Sequence, residues 1–190
     1  MPIKIAILGW GSLLWDHDVG FDKQHHKWLF DGPVLKLEFS RISKSRSQAL
    51  TLVIDADNGA SCRVAYTLSK RINPEDAICD LTSREETKRE HIGLYFLDGS
   101  RQHSRDLGAF ESISAWATSK GIDVVIWTDL ESNFKKKSIF GQDFSVETAI
   151  SHIVALDAEG KAEAVEYIRR APDFIDTPLR KALREYSWFR

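Results

Sequence analysis

The sequence has little cysteine, no long apolar run and no excess of charge of one sign, and each shortage excludes a class of protein. Two cysteines in 190 residues, Cys62 and Cys79, cannot form a disulfide framework. No stretch approaches the roughly 18 consecutive apolar residues of a transmembrane helix, so no membrane partner is predicted. A formal net charge of −2 gives no electrostatic case for binding nucleic acid or an anionic membrane.

The remaining composition is that of an ordinary globular protein. Hydrophobic residues make up 43% of the chain and charged residues 28%, which suits one domain over residues 1–190 with a sizeable core. The first residues lack a basic region followed by an apolar stretch, so no secretory leader is predicted. We therefore expect a cytoplasmic protein with reduced thiols. The sequence gives no oligomeric state.

The hydrophobic pattern predicts an α+β protein. Strands are predicted over residues 4–8, 34–42, 49–54, 61–68 and 124–127. Helices are predicted from Asn73 as far as Ile92, over residues 105–120, 146–154 and 161–170, and from Thr177, with Gly160 expected to break the chain between two of them. The closely spaced early strands suggest an antiparallel meander that curls into a barrel or packs under helices.

The first predicted strand ends in a loop with two glycines, Gly9 and Gly11, which we call the glycine loop (residues 9–15). Glycine permits a tight turn and a close approach of backbone to ligand. The amides of Gly11, Ser12 and Leu13 could then form an anion or oxyanion site, although a simple turn is the alternative. The pattern fits neither a dinucleotide fingerprint, which needs a small residue where Leu14 stands, nor the Ser nucleophile elbow of hydrolases.

A carboxylate falls on the apolar face of the helix predicted from Asn73. Glu85 follows Leu81 by four residues and Ile78 by seven, which is helical spacing. A carboxyl group on such a face suits general acid–base catalysis, because desolvation raises its pKa. The structural alternative is an ion pair with one of three nearby cations: Arg84, Lys88 or Arg89.

Arg41 is the second charged residue on a predicted apolar face, since it lies on the same side of the predicted second strand as Phe39. It could pair with Glu85 or another acid, or bind a substrate carboxylate at a pocket rim. No metal site is predicted. His25 and His26 are adjacent, with no cysteine or carboxylate at zinc spacing, and the other histidines are scattered.

Several of these segments, taken in order, resemble the gamma-glutamylcyclotransferase superfamily, nearest its ChaC-like branch. That branch has a tyrosine-glycine-serine-leucine loop after its first strand, where this chain has Trp10-Gly11-Ser12-Leu13. The later matching segments are Phe39-Ser40-Arg41-Ile42, Leu50-Thr51-Leu52, Cys62 to Tyr66, and Leu81 to Glu85. Together they extend over about residues 3–86.

The resemblance implies a small, mostly antiparallel β-barrel with flanking helices. It implies a cofactor-free reaction in which the α-amine of a small γ-glutamyl substrate attacks its own γ-carbonyl, releasing 5-oxoproline and an amine or peptide, as in glutathione metabolism. Glu85 would be the acid/base. Four loop residues and one strand residue would bind the substrate: Trp10, Gly11, Ser12, Leu13 and Arg41.

The chain departs from the family pattern at two places. Trp10 replaces the tyrosine, so a hydroxyl is missing. Residues 86–120 are predicted as an extended helix, a loop and a second helix, where the family has a glycine-rich segment and a strand. These departures leave the γ-glutamyl substrate open. They keep two alternatives in view: a non-catalytic small-ligand-binding protein of the same fold, and a protein-interaction module with a tryptophan-rich surface.

Overall fold

The structure is a computed structural model that describes residues 3–190 and has a mixed α+β architecture. The strands are β1 (Ile5–Gly9), β2 (Val34–Ser43), β3 (Ala49–Ile54), β4 (Ala60–Arg63), β5 (Ala65–Leu68), β6 (Ile92–Phe96), β7 (Gln102–His103) and β8 (Val124–Thr128). The α-helices are α1 (Val19–Asp22), α2 (Pro74–Arg84), α3 (Leu107–Lys120), α4 (Phe134–Lys137), α5 (Val146–Ala155), α6 (Ala158–Arg170) and α7 (Pro178–Leu183). No described helix is long and apolar enough to cross a membrane.

The chain divides into two compact units, each built from two segments. The first unit consists of Met1–Leu35 and Arg63–Leu130, and the second of Lys36–Cys62 and Glu131–Arg190. The prediction of one domain over residues 1–190 stays a prediction.

The first unit contains a five-stranded mixed sheet in the order β5-β1-β8-β6-β7. Strand β1 is antiparallel to β5 and parallel to β8, and all five of its residues are buried because neighbouring strands flank it on both sides. Helices α1 and α2 cover the apolar core over Ile5, Ile7, Val124 and Ile126. Asn73 caps α2 as predicted, its side chain accepting a hydrogen bond from the Glu75 amide before Pro74 starts the helix.

The second unit contains a three-stranded sheet in the order β3-β2-β4, with α6 packed against β3. Glu38 of β2 is fully buried, and its carboxylate accepts hydrogen bonds from the amides of Phe39 (2.7 Å) and Leu179 (3.1 Å). Burial raises the pKa of Glu38 despite these bonds. The Arg180 side chain is also buried, and its donors reach four backbone carbonyls around the start of α7.

The predicted barrel is wrong, because the strands form two separate sheets that do not close. Residues 61–68 were expected to be one strand, but the ladder breaks at Val64, so that β4 and β5 pair in different sheets. The α+β class is confirmed, and four of the five strand pairings with a resolved register are antiparallel.

Two helix boundaries also differ from the prediction. Helix α2 ends at Arg84, and Glu86 takes a left-handed conformation (φ 45°) that turns the chain away from the helix axis. Ile92, predicted as part of that helix, instead begins strand β6, where Ile92 and Leu94 are both buried. Gly160 lies inside α6 and does not break it, since its amide is bonded to the cap Asp157 (2.8 Å).

The contact between Gly93 and Trp127 fixes the pairing of β6 with β8. The two residues are directly opposite in the ladder, and the fully buried indole lies where a side chain at position 93 would be. We expect Gly93→Ala to lower the free energy of unfolding by about 3 kcal/mol, because the added methyl overlaps the ring. The measurement is urea denaturation.

Gly108→Ala is the matched control for that variant. Its Cβ would have no neighbour nearer than 3.5 Å, so a helical alanine should stabilise by up to about 1 kcal/mol. Equal stability of the two variants would contradict the packing argument.

His152 of α5 gives the second unit a defined pH dependence. Its Nδ1 accepts a hydrogen bond from the Ile139 amide (3.3 Å), so the proton is on Nε2, which donates to the Gln48 carbonyl (3.0 Å). Burial lowers the pKa of His152. His152 therefore binds a proton more tightly in the unfolded chain than in the folded chain. As a result, the free energy of unfolding falls as the pH drops below about 6.5.

The slope contributed by this one group is at most about 1.4 kcal/mol per pH unit. We expect His152→Gln to be less stable at pH 7 but to lose less stability between pH 7 and pH 5.5 than the parent chain, as measured by denaturant titration at both values. His103→Gln, at an exposed position, should keep the parent's slope. A His152→Gln protein with the parent's slope would show that another group carries the pH dependence.

Candidate functional site

The glycine loop turns out of β1 into a single turn of 3₁₀-helix, Ser12–Leu14. Gly9 allows the close approach that this needs, since a Cβ there would lie 2.7 Å from the Trp28 ring. The turn is closed by hydrogen bonds from the Leu14 amide to the Gly11 carbonyl (3.0 Å) and from the Asp16 amide to the Ser12 carbonyl (2.7 Å). The loop is therefore an ordered element of the first unit.

The hydrogen bonds that close the turn do not use the backbone amides of Gly11, Ser12 and Leu13. Within residues 3–190 none of the three donates a hydrogen bond, in keeping with the first positions of a helical turn. Gly11 is buried, and the other two residues are half-buried. Successive free amides at such a turn can bind an anion or a developing oxyanion.

Glu85 is the cap residue at the end of α2, in contrast to the predicted position inside a longer helix. Its amide still bonds to the Leu81 carbonyl (3.0 Å), which keeps it near the buried side of the helix. Its side chain is only 20% exposed. The prediction that this carboxylate is shielded from bulk solvent is therefore consistent with its position, although the helix that was expected to carry it ends one residue earlier.

Arg84 connects Glu85 with the glycine loop. One terminal nitrogen of its guanidinium, Nη2, donates to the carbonyl of Asp16 (2.7 Å), directly after the loop, and lies 3.5 Å from the Ser12 carbonyl. The other, Nη1, lies 3.7 Å from Glu85 Oε1. The carboxylate and the loop thus share one guanidinium in the first unit.

The contact between Arg84 and Glu85 is also the evidence for the structural alternative, in which Glu85 only forms an ion pair. Of the three cations considered, Arg84 is the one found beside Glu85, whereas Lys88 lies 3.8 Å from Glu90 and Arg89 lies 2.6 Å from Glu75. A structural role and a catalytic role for Glu85 are compatible, because a guanidinium that holds a carboxylate also orients it.

The other two predicted binding residues lie in different units. Trp10 belongs to the first unit and is buried, with 6% of its surface exposed. Arg41 belongs to the second unit and is half-buried, and its Nη1 donates to the Glu131 carbonyl (2.7 Å). The structure therefore shows Arg41 on a backbone carbonyl, and its predicted role with a substrate carboxylate stays a prediction.

One cluster was missed by the sequence analysis. Asp22 lies between two histidines, 3.1 Å from His17 Nδ1 and 3.4 Å from His25 Nε2. Helical spacing could not have found it, because α1 ends at Asp22 and His25 lies in an isolated bridge with Ser69. Among the described residues, no group of three or more potential ligands is arranged to hold a metal ion.

Neither protein-family models nor curated proteins gave a match to this chain. The functional argument therefore depends on the geometry of the glycine loop, Arg84 and Glu85.

We expect Arg84→Met to destabilise the first unit by about 1–3 kcal/mol, because the Asp16 and Ser12 carbonyls lose their charged donor. Thermal unfolding of the purified chain measures the loss. Lys88→Met removes a cation four residues away that is 76% exposed, and it should change stability by less than about 0.5 kcal/mol. If the two variants were equally stable, Arg84 would not be holding the loop.

Proposed function

We propose that the protein is a gamma-glutamyl cyclotransferase-like enzyme that acts on a small γ-glutamyl amine or peptide. The single observation that carries the proposal is the placement of the shielded Glu85 carboxylate and the glycine loop on one guanidinium, that of Arg84. A group that can accept and return a proton is thereby connected, through Arg84, to the loop whose amides would receive negative charge.

In the proposed reaction Glu85 removes a proton from the substrate's α-ammonium. The free amine then attacks the γ-carbonyl carbon, forming the new carbon–nitrogen bond of the five-membered ring. The amides of Gly11, Ser12 and Leu13 stabilise the carbonyl oxygen as it becomes negative. Glu85 returns the proton to the leaving nitrogen as the original amide bond breaks. The ring nitrogen gives its remaining extra proton to the released amine or to solvent, so the products are 5-oxoproline and an amine or peptide. The step requires no cofactor or metal ion.

The chain after Glu85 adds support to the family resemblance. The sequence suggested a long helix there, a departure from the glycine-rich segment and strand of the family. The structure has strand β6, which contains Gly93, within ten residues of Glu85. The strand fits the family pattern, whereas residues 86–92 contain no glycine, so the glycine-rich segment is still missing, as is the tyrosine that Trp10 replaces.

The second candidate is a non-catalytic binding protein of the same fold, and the observation that favours it is Trp10. The buried indole brings no hydroxyl to the loop, so a ligand could be held without being turned over. The interaction module has less support, because all six tryptophans are buried or half-buried and offer no exposed tryptophan surface.

The test is to incubate the purified protein with a panel of γ-glutamyl amines, γ-glutamyl amino acids and glutathione, and to measure 5-oxoproline by mass spectrometry. We expect turnover of at least one compound, and Glu85→Gln should reduce it by about 10²- to 10⁴-fold because the amide cannot accept the proton. Glu86→Gln, an exposed neighbour with the same change, should retain the parent rate.

The outcomes separate the candidates. Full activity of Glu85→Gln would remove the assigned mechanism. Stabilisation of the protein by a γ-glutamyl compound without any product would favour the binding protein.

A further inference from the structure

A cleft of about 510 Å³ lies in the first unit. One wall is apolar and includes Leu13 and the half-buried Trp28. The remainder is polar and includes Asp22, His25 and two lysines, Lys27 and Lys70. A cleft of this volume with an aromatic wall and several converging polar groups is large enough for a small molecule.

His25 is the most buried member of the polar side. Its ring is 8% exposed and lies between the rings of Phe21 (centroids 4.9 Å apart) and Trp28 (5.3 Å). Its Nδ1 is 2.6 Å from the His26 carbonyl, which can only accept, so Nδ1 carries a proton. The Thr67 hydroxyl also donates to that carbonyl (2.8 Å) and therefore does not compete for the ring nitrogen.

The consequence is a pair of facing acceptors. When His25 carries only the Nδ1 proton its Nε2 is an acceptor, and this atom lies 3.4 Å from Oδ1 of the Asp22 carboxylate. The contact lacks hydrogen-bond geometry, and within the described residues Nε2 has no hydrogen-bond partner. Two acceptors this close are stabilised by a positively charged donor that reaches the carboxylate.

The protein's own candidate for that donor is weakly held. His17 contacts the other carboxylate oxygen of Asp22 at 3.1 Å, but its side chain is 85% exposed. An exposed contact of this kind contributes little to stability and gives way readily to a stronger partner. A ligand ammonium could therefore replace His17 at Asp22.

The lysines complete the recognition pattern. Lys27 and Lys70 line the same cleft, and the Lys70 ammonium is held by the Lys23 carbonyl (3.0 Å). Two cations that face a cleft favour an anionic ligand group, whereas Asp22 favours a cationic one. A ligand that satisfies both carries an ammonium and a carboxylate, with an apolar part for Trp28 and Leu13.

We propose that this cleft binds a free α-amino acid or short peptide in its zwitterionic form. The ammonium pairs with Asp22 beside His25, the carboxylate pairs with Lys27 and Lys70, and the apolar side chain covers Trp28. The inference concerns binding alone and does not rest on the proposed reaction.

The test is isothermal titration calorimetry on the full chain with three probes: leucyl-glycine, N-acetyl-leucyl-glycine and leucyl-glycinamide. The first carries both charges, the second lacks the ammonium and the third lacks the carboxylate. We expect leucyl-glycine to bind and each blocked probe to bind at least about tenfold more weakly. Equal binding of all three probes, or binding of none, would overturn the proposal.

Matched variants locate the site. Asp22→Asn should weaken leucyl-glycine binding by about tenfold, and Lys27→Gln combined with Lys70→Gln by a similar factor. Asp57→Asn and Lys36→Gln, the same changes at exposed positions of the second unit, should leave binding unchanged. Parent-like binding by Asp22→Asn would overturn the assignment. If that variant does not fold, the lysine variants and the three probes still test whether the cleft binds the ligand.

A third arm tests the facing acceptors directly. Zn²⁺ alone is added to the parent chain and to Asp22→Asn. Binding of Zn²⁺ at this position without any binding of leucyl-glycine would overturn the ligand class, because the acceptors would then serve a metal ion. Binding of leucyl-glycine together with no Asp22-dependent binding of Zn²⁺ supports the zwitterion site.

Discussion

The guanidinium of Arg84 is the interaction on which the candidate site depends. It is 12% exposed and reaches two backbone carbonyls of the segment after β1 while lying beside the carboxylate of Glu85. Arginine suits this role because its planar group offers several donors in fixed directions and stays charged. Without it, the Ser12 and Asp16 carbonyls would lose their charged donor, and the Glu85 carboxylate would lose its neighbouring guanidinium.

Much of the secondary structure follows from local signals in the sequence. Asn73-Pro74 and Thr177-Pro178 start helices where predicted, and Gly121 ends α3 in the left-handed conformation (φ 62°). The error at β6 came from extending helical spacing through Glu86, although Ile92, Leu94 and Phe96 alternate as strand residues do. Here the positive φ at Glu86 decided the boundary, and no local composition rule predicts it for a glutamate.

The candidate site was predictable in its residues but not in its connections. The bonds from Arg84 join positions 68 and 72 residues apart, and such pairs leave no periodic trace in the sequence. The parallel pairing of β1 with β8 and the separation of β4 from β5 are long-range in the same sense, which is why a meander and a barrel were expected. His25 was judged by its neighbour His26, whereas its partner Asp22 lies three residues earlier, at the end of α1.

The parallel pairing of β1 with β8 has a consequence for folding during translation. The Lys4 amide bonds to the side chain of Asp123, 119 residues later, and Ile5 pairs with Val124, so β1 is synthesised well before its partner β8. Until β8 is made, β1 has only β5 as a neighbour and exposes an apolar edge. The nascent chain must keep this edge from pairing with other strands over that interval.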